Sequence, residues 1–115
     1  MITLREIVER AGLQVRNPGV NLLRPVSGGY AADLLSCVMA GAKQGNIWVT
    51  LQGHPNIVAV AALLDLAAIV VTEDAPIDPQ TLDRATEEGV PVLSSPKTTW
   101  AVVADLTALG VPAGG

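Results

Sequence analysis

The sequence predicts a single compact α/β domain in which helices pack on the faces of a mainly parallel sheet of about four to five strands. At 115 residues the chain has room for one domain. From about residue 22 onward, predicted strands and helices alternate with short connections, a pattern typical of parallel sheets. The continuous apolar run over residues 67–71 fits a strand that helices cover on both faces.

The first part of the chain predicts one helix and two short strands. Thr3 and Glu6 have the spacing of a capping box, and the apolar residues that follow keep helical spacing up to a glycine. Residues 13–16 and 22–26 are predicted strands, and a proline in the second favours an edge position or an early end. Residues 27–30, Ser-Gly-Gly-Tyr, are predicted to form a flexible elbow into the next helix.

The rest of the chain predicts alternating helices and strands that end in a tail. Asp78 has the character of a helix cap, because a proline follows it at the first helical position. We expect the domain to cover residues 1–110 and residues 111–115 to form a flexible tail. The predicted elements are a helix over 31–42, a strand over 46–51, a helix over 57–64, a strand over 67–71, a helix over 79–88, a strand over 90–93 and a helix over 100–109.

Composition argues against several classes of function. The net charge of −4 disfavours nucleic-acid binding, which needs clustered Lys and Arg. The single cysteine, Cys37, excludes an internal disulfide and a cysteine-based metal cluster, and it fits a reducing compartment. The most apolar stretch, residues 57–71, is too short to cross a bilayer and contains Asp65. The first ten residues mix charges and lack the pattern of an export signal, so we expect a cytoplasmic protein without a membrane partner.

The loops that follow the predicted strands form the candidate ligand site. In a parallel sheet such loops gather at the carboxyl edge, where helix N-termini also point. They hold the only His and the only Tyr of the chain. The alternative is that these polar residues only cap helices and make turns. The candidate ligand-binding residues are Ser27, Gly28, Gly29, Tyr30, Gln52, His54, Asn56, Thr72, Lys97 and Thr98.

Single residues within and near this set have competing interpretations. His54 is either a base or ligand contact, or an exposed cap in a turn. Asp33 lies near the start of a predicted helix, and this position indicates a structural role more than a catalytic one. Cys37 is expected to be a small buried side chain. Trp48 and Trp100 are expected to be partly buried, with a subunit contact as one location.

No catalytic constellation, metal site or cofactor motif stands out. The phosphate loop of ATP-dependent kinases and the G-x-S-x-G elbow are both absent. One His and one Cys do not supply a structural zinc site. We therefore assign no catalytic residues, no metal and no cofactor, and favour a protein that is not an enzyme.

Several blocks of sequence resemble the stand-alone DRTGG-domain proteins, over about residues 3–110. The blocks are residues 26–36 (Val-Ser-Gly-Gly-Tyr-Ala-Ala-Asp-Leu-Leu-Ser), 38–42, 47–52 (Ile-Trp-Val-Thr-Leu-Gln), His54, 56–61, 87–93 and 98–100. Related domains occur in HPr kinase/phosphorylase, in some phosphotransacetylases and in certain CBS-containing pyrophosphatases. The resemblance implies a compact α/β regulatory or dimerisation unit that lies beside another protein's active site.

Two elements depart from that family's pattern. Where the wider family has Asp-Arg and Thr-Gly-Gly, this chain has His54-Pro55 and Thr72-Glu73-Asp74. The change removes one cation and two glycines and adds two carboxylates. We expect it to weaken any phosphate site on that edge.

The resulting hypothesis is a non-catalytic regulatory or ligand-sensing module that forms a homodimer. It would bind a small anionic metabolite or a nucleotide at the loops. The homodimer is expected because the helix over 57–64 is apolar on every side and needs cover. Two alternatives are a small enzyme that pairs His54 with a carboxylate such as Asp33 or Asp74, and an assembly adaptor for a partner enzyme.

Overall fold

The computed structural model describes all residues, Met1–Gly115, and contains five strands and five helices. The strands are β1 (Gln14–Val15), β2 (Gly28–Ala31), β3 (Asn46–Thr50), β4 (Ala68–Val71) and β5 (Val92–Ser94). The helices are α1 (Leu4–Ala11), α2 (Leu35–Gly41), α3 (Asn56–Leu64), α4 (Pro79–Glu88) and α5 (Thr99–Ala108).

The strands form one sheet in the order β1-β5-β4-β3-β2. Strands β2 to β5 are parallel neighbours, and β1 pairs antiparallel with β5 at the far edge. The predicted fold class and the predicted strand polarity are therefore confirmed. Because the four parallel strands point the same way, the loops that follow them meet at one edge of the sheet.

Helices cover both faces of the sheet. Ile47 and Val49 of β3 point into a core formed with α1 and α5, whereas Trp48 points into a second core formed with α2, α3 and α4. The alternation along β3 follows the two-residue period of a strand. β3 and β4 are buried throughout, as the apolar run in β4 predicted.

The second predicted strand is wrong in position. Residues 22–26 contain only an isolated bridge between Pro25 and Thr3, and the strand that pairs with β3 is Gly28–Ala31. Gly28, one of the two glycines that suggested an elbow, is closely packed instead. A Cβ atom on Gly28 would lie 3.0 Å from the Cα of Gly114, which runs beside the strand.

Helix α2 begins at Leu35, later than predicted, because the preceding residues bond to the neighbouring strand. The Nε1–H of Trp48 donates to the carbonyl of Ala32 at 2.8 Å, and the backbone of Leu51 donates to the side chain of Asp33. The expectation of a buried Cys37 is wrong, since the thiol side chain is exposed on this short helix.

Two expectations about apolar burial also change. Trp48 is fully buried, and Trp100 is 86% exposed, so neither is partly buried. Helix α3 lies against α2 and α4, which bury Ile57, Val58 and Ala61, while Leu63 on the same helix is 71% exposed. The apolar composition of α3 therefore does not mean cover on every side.

The last residues run along the free edge of β2. The N–H of Gly29 donates to the carbonyl of Pro112 at 2.8 Å, and Gly114 donates back to the carbonyl of Gly29 at 2.6 Å. Val111, just before them, is buried in the core. The tail that was predicted to be flexible is thus hydrogen-bonded to β2. Its mobility in solution stays a prediction. No helix of the chain has the length and apolar character to cross a membrane.

Candidate functional site

The carboxyl ends of β2 to β5 open onto loops over residues 32–34, 51–55, 72–78 and 95–98, here called the carboxyl-edge rim. Parallel α/β sheets bind ligands at this edge because loops and helix N-termini converge there. Six of the ten sequence-predicted residues lie on the rim or in the first residue of the following helix: Gln52, His54, Asn56, Thr72, Lys97 and Thr98.

The remaining predicted residues lie elsewhere, because β2 starts later than expected. Ser27 is at the opposite, amino end of the sheet, where its hydroxyl donates to the carbonyl of Gln44 and accepts from the side chain of Asn46. Gly28 and Gly29 belong to β2 itself, and the hydroxyl of Tyr30 donates to the carbonyl of Cys37. The predicted rim loop over residues 27–30 does not exist, so these residues do not join the others.

Asp33 shapes the loop that follows β3. Its Oδ1 accepts from the Thr50 hydroxyl at 2.9 Å and from the Leu51 N–H at 2.7 Å. The side chain of Gln52 donates back to the carbonyl of Asp33 at 3.3 Å. Asp33 is therefore a positioning residue at the rim, and only a long-range contact reveals that role.

The next part of the rim is filled by the chain's own groups. The hydroxyls of Thr72 and Thr99 form a hydrogen bond of 2.6 Å. The Glu73 carboxylate accepts a hydrogen bond from the backbone N–H of Thr99 at 2.8 Å. Thr98 caps α5 by accepting from Ala101. Lys97 donates to Asp105 at 3.0 Å. The backbone N–H groups of Thr99 and Ala101 at the start of α5 are thus bonded within the chain, and the expected weakening of a phosphate site stays a prediction.

An open groove lies between the β3–α3 loop and the segment that leads into α4. It has a volume of about 570 Å³, is open to solvent, and is lined by Leu51, Gly53, His54, Pro76, Ile77, Asp78 and Pro79. The two walls are tied together at Gly53, whose carbonyl accepts from the N–H of Asp78 at 3.1 Å and from the Thr81 hydroxyl at 2.6 Å. A Cβ atom at Gly53 would collide with the carbonyl of Pro76, so only glycine allows this contact.

His54 lines the groove, and its ring also bonds to the backbone at the start of α3. Its Nδ1 accepts the N–H of Asn56 at 3.1 Å, which leaves Nε2 as the free polar atom of the ring. No carboxylate forms a hydrogen bond or ion pair with His54. The acid–base pair of the enzyme alternative is therefore not assembled here, and neither Asp33 nor Asp74 bonds to the ring.

The charge of the rim is negative. Asp33, Glu73, Asp74 and Asp78 are exposed on it, and its one cation, Lys97, is paired with Asp105. No group of His, Cys, Asp or Glu side chains is arranged to hold a metal ion. The rim thus favours ligands that offer hydrogen-bond donors and apolar surface over those that present only phosphate.

Fold and site together define a small α/β domain with a mainly parallel sheet and one polar loop edge. The sequence matches the DRTGG domain family over residues 31–109. The chain therefore belongs to the DRTGG domain family, as its resemblance predicted.

A solved structure with a similar fold contains a ligand. A crystal structure of the CBS and DRTGG domains from the regulatory region of Clostridium perfringens pyrophosphatase, complexed with its activator diadenosine tetraphosphate, matches with a TM-score of 0.71 and 14% identity. The match covers 89% of this chain and 44% of that one, so this chain spans less than half of that structure. At this identity the match shows a shared fold. No curated protein matches the sequence.

Proposed function

We propose that this chain is a regulatory, ligand-sensing module that binds a nucleotide in the groove at the carboxyl-edge rim and self-associates. The observation that carries the proposal is the groove itself, with apolar walls from Leu51 and Ile77 and two polar side chains, His54 and Asp78, at its border. Small-molecule sites have this mixture of apolar walls and a few placed polar groups.

The proposed ligand enters with its nucleoside part. A base packs against Leu51, Ile77 and the flanking prolines, and Asp78 accepts a ribose hydroxyl. The phosphates remain in solvent, where salt screens their repulsion from the acidic rim. The regulatory region that shares this fold was crystallised with a dinucleotide activator, which makes adenine nucleotides the first ligands to test.

A thermal-shift series tests the proposal. Adenosine, AMP, ATP and diadenosine tetraphosphate are compared with inorganic phosphate. A ligand present at one hundred times its Kd adds about 2.7 kcal/mol, or a shift of about 10 °C for a domain of this size. We expect the adenosine-containing ligands to raise Tm and phosphate alone to leave it unchanged.

Matched variants locate the site. His54→Asn retains an acceptor for the Asn56 N–H and removes the ring, and Asp78→Asn retains a good helix cap and removes the charge. Both should reduce the ligand-induced shift while the protein stays folded. Ser27→Ala, at the opposite end of the sheet, should leave the shift intact. A full shift in both groove variants, or no shift with any nucleotide, would contradict the proposal.

A regulatory module acts on a catalytic partner, and we propose a partner enzyme as its target. The assembly-adaptor alternative predicts tight association with that partner and no effect of nucleotide on it. Measuring the partner's affinity with and without ligand separates the two functions.

A further inference from the structure

The outer face of α5 is apolar and uncharged. Trp100 in its first turn is 86% exposed, and Val103 one turn later is 37% exposed. Ala104, Thr107 and Ala108 complete the surface. By contrast, the outer face of α4, a helix of equal length, exposes Asp83, Arg84, Glu87 and Glu88.

A groove of about 310 Å³ continues this face toward the sheet edge. α5, β2 and the last residues of the chain form its walls. Val103 and Thr107 belong both to the outer face and to the groove, so the two form one continuous surface. The groove is lined by Gly29, Tyr30, Ala31, Val49, Val103, Leu106, Thr107, Val111, Pro112 and Ala113.

We propose that this surface is a homodimer interface, in which α5 packs antiparallel against α5 of a second copy and Trp100 of each copy enters the groove of the other. The proposal rests on the self-association stated under the proposed function, and it names the surface that performs it. It replaces α3 as the predicted reason for a dimer.

Trp100 and the groove are placed so that two copies can bind each other around a two-fold axis. In a symmetric dimer, residue i of one copy meets residue j of the other and the reverse. Trp100 and Thr107 are separated by seven residues of helix, about 10 Å along the axis. Antiparallel packing therefore brings each Trp100 to the groove end of its partner, with each helix N-terminus near a C-terminus.

The size and charge of the surface favour a second copy as the occupant. A cavity of about 150 Å³ holds benzene, so a groove of about 310 Å³ is large enough for an indole ring. Each copy carries a net charge of −4, so two copies come together with least added repulsion where the contact surface has no charge. The nearby charges, Lys97 and Asp105, pair within the chain and leave none on the face.

Sedimentation at a series of protein concentrations tests the interface. We expect the wild-type chain to dimerise. We expect Trp100→Ser to raise the dimer Kd by about a hundredfold, because the dimer loses two central aromatic contacts. Leu63→Ser is the matched control: Leu63 is 71% exposed on the opposite face and should leave the Kd unchanged. Trp100 and Leu63 are both exposed, so neither substitution disturbs the core.

A mixing experiment tests the insertion of Trp100 into the groove. Thr107→Arg blocks the groove but keeps the tryptophan, and Trp100→Ser removes the tryptophan but keeps the groove. Mixed together, they restore one of the two contacts, so a heterodimer should form at least about tenfold more tightly than either variant with itself.

Each failure has its own meaning. A wild-type chain that stays monomeric at its highest soluble concentration overturns both this interface and the self-association in the proposed function. Wild-type dimers that Trp100→Ser leaves intact, or that Leu63→Ser disrupts equally, overturn the interface alone. If the Thr107→Arg and Trp100→Ser variants fail to form a heterodimer, Trp100 does not enter the groove of its partner. The nucleotide shift described above is independent of all of these outcomes.

Discussion

Glu73 and Thr99 are joined by a hydrogen bond of 2.8 Å, in which the Glu73 carboxylate accepts the backbone N–H of the first residue of α5. The bond places a carboxylate of the chain at the positive end of that helix, where an external anion would otherwise bind. Glu73 and Asp74 both have positive φ angles, 62° and 53°. Glycine adopts this left-handed conformation without strain, so the chain combines a glycine-type turn with two carboxylates.

Replacing each of the two residues of this turn by glycine should change stability by a different amount. Asp74→Gly should raise stability by about 0.5 kcal/mol, because glycine adopts the left-handed conformation without strain. Glu73→Gly relieves the same strain but loses the charge-assisted bond to Thr99, so we expect no net gain. Urea denaturation of the two variants measures the difference. Equal stabilisation by both would mean that the Glu73 bond contributes nothing.

Gly41 lies so close to the ring of Tyr30 that an added Cβ atom must displace the ring. A Cβ atom on Gly41 would lie 2.6 Å from Cζ of Tyr30. Although alanine is up to about 1 kcal/mol better than glycine in a helix, we expect Gly41→Ala to destabilise the domain by about 1–3 kcal/mol because it displaces the ring. In a Tyr30→Ala background the same substitution should become neutral or stabilising. A double-mutant cycle by thermal unfolding checks this, and additive effects would contradict it.

Asp65 links stability to pH at the amino edge of the sheet. Hydrogen bonds from Arg24 and then from Gln44 lower the pKa of this carboxyl below its usual 3.8. A lowered folded-state pKa stabilises the native state above the unfolded-state pKa, and this contribution disappears as the pH falls through the folded-state value. Because the side chain is 55% exposed, the contribution should stay below about 1 kcal/mol.

Asp65→Asn isolates that contribution. Asp65 has a φ of 54° at the end of α3, a conformation that asparagine tolerates well. We expect the variant to be less stable than wild type near neutral pH and equally stable below the folded-state pKa. Unfolding free energies measured from neutral to acid pH provide the test. If the unfolding free energies of wild type and variant changed in parallel with pH, the ion pair of Asp65 would make no pH-dependent contribution to stability.

The final residues should contribute to stability through β2. Deleting Pro112–Gly115 removes the partners of both backbone groups of Gly29 and should cost about 1–2 kcal/mol. Deleting Gly115 alone retains both bonds and serves as the control. Hydrogen exchange of the Gly29 amide gives a direct measurement. A Gly29 amide that exchanges as fast as a free one in the full chain would support the flexible tail predicted from sequence.

Local chemistry explains which parts of the fold could be predicted. Thr3 with Glu6 caps α1, Asp78 caps α4 and Thr98 caps α5, each through a side chain within three residues of its partner. The apolar run in β4 likewise indicates that this strand is buried. Such signals lie within a few residues of one another, so a single sequence contains them.

The errors come from contacts between distant residues. Gly28 and Gly29 resemble a turn in the sequence, and only the neighbouring tail at Gly114 explains why position 28 of the strand favours glycine. Asp33 acts through Thr50, seventeen residues away. Half of the groove, residues 76–79, was predicted only as the start of a helix, and no motif marks it as a ligand site. The rim was therefore predictable as a place, but most of its groove was not.

The most direct test of the proposed ligand site is a titration of the isotope-labelled chain with an adenine nucleotide, followed by amide chemical shifts. We predict saturable shifts confined to the non-proline residues of the ranges 51–56 and 75–80, which border the groove. Shifts centred on residues 27–30 at the other end of β2, or no saturable shifts at any nucleotide concentration, would contradict the assignment of the groove as the sensing site.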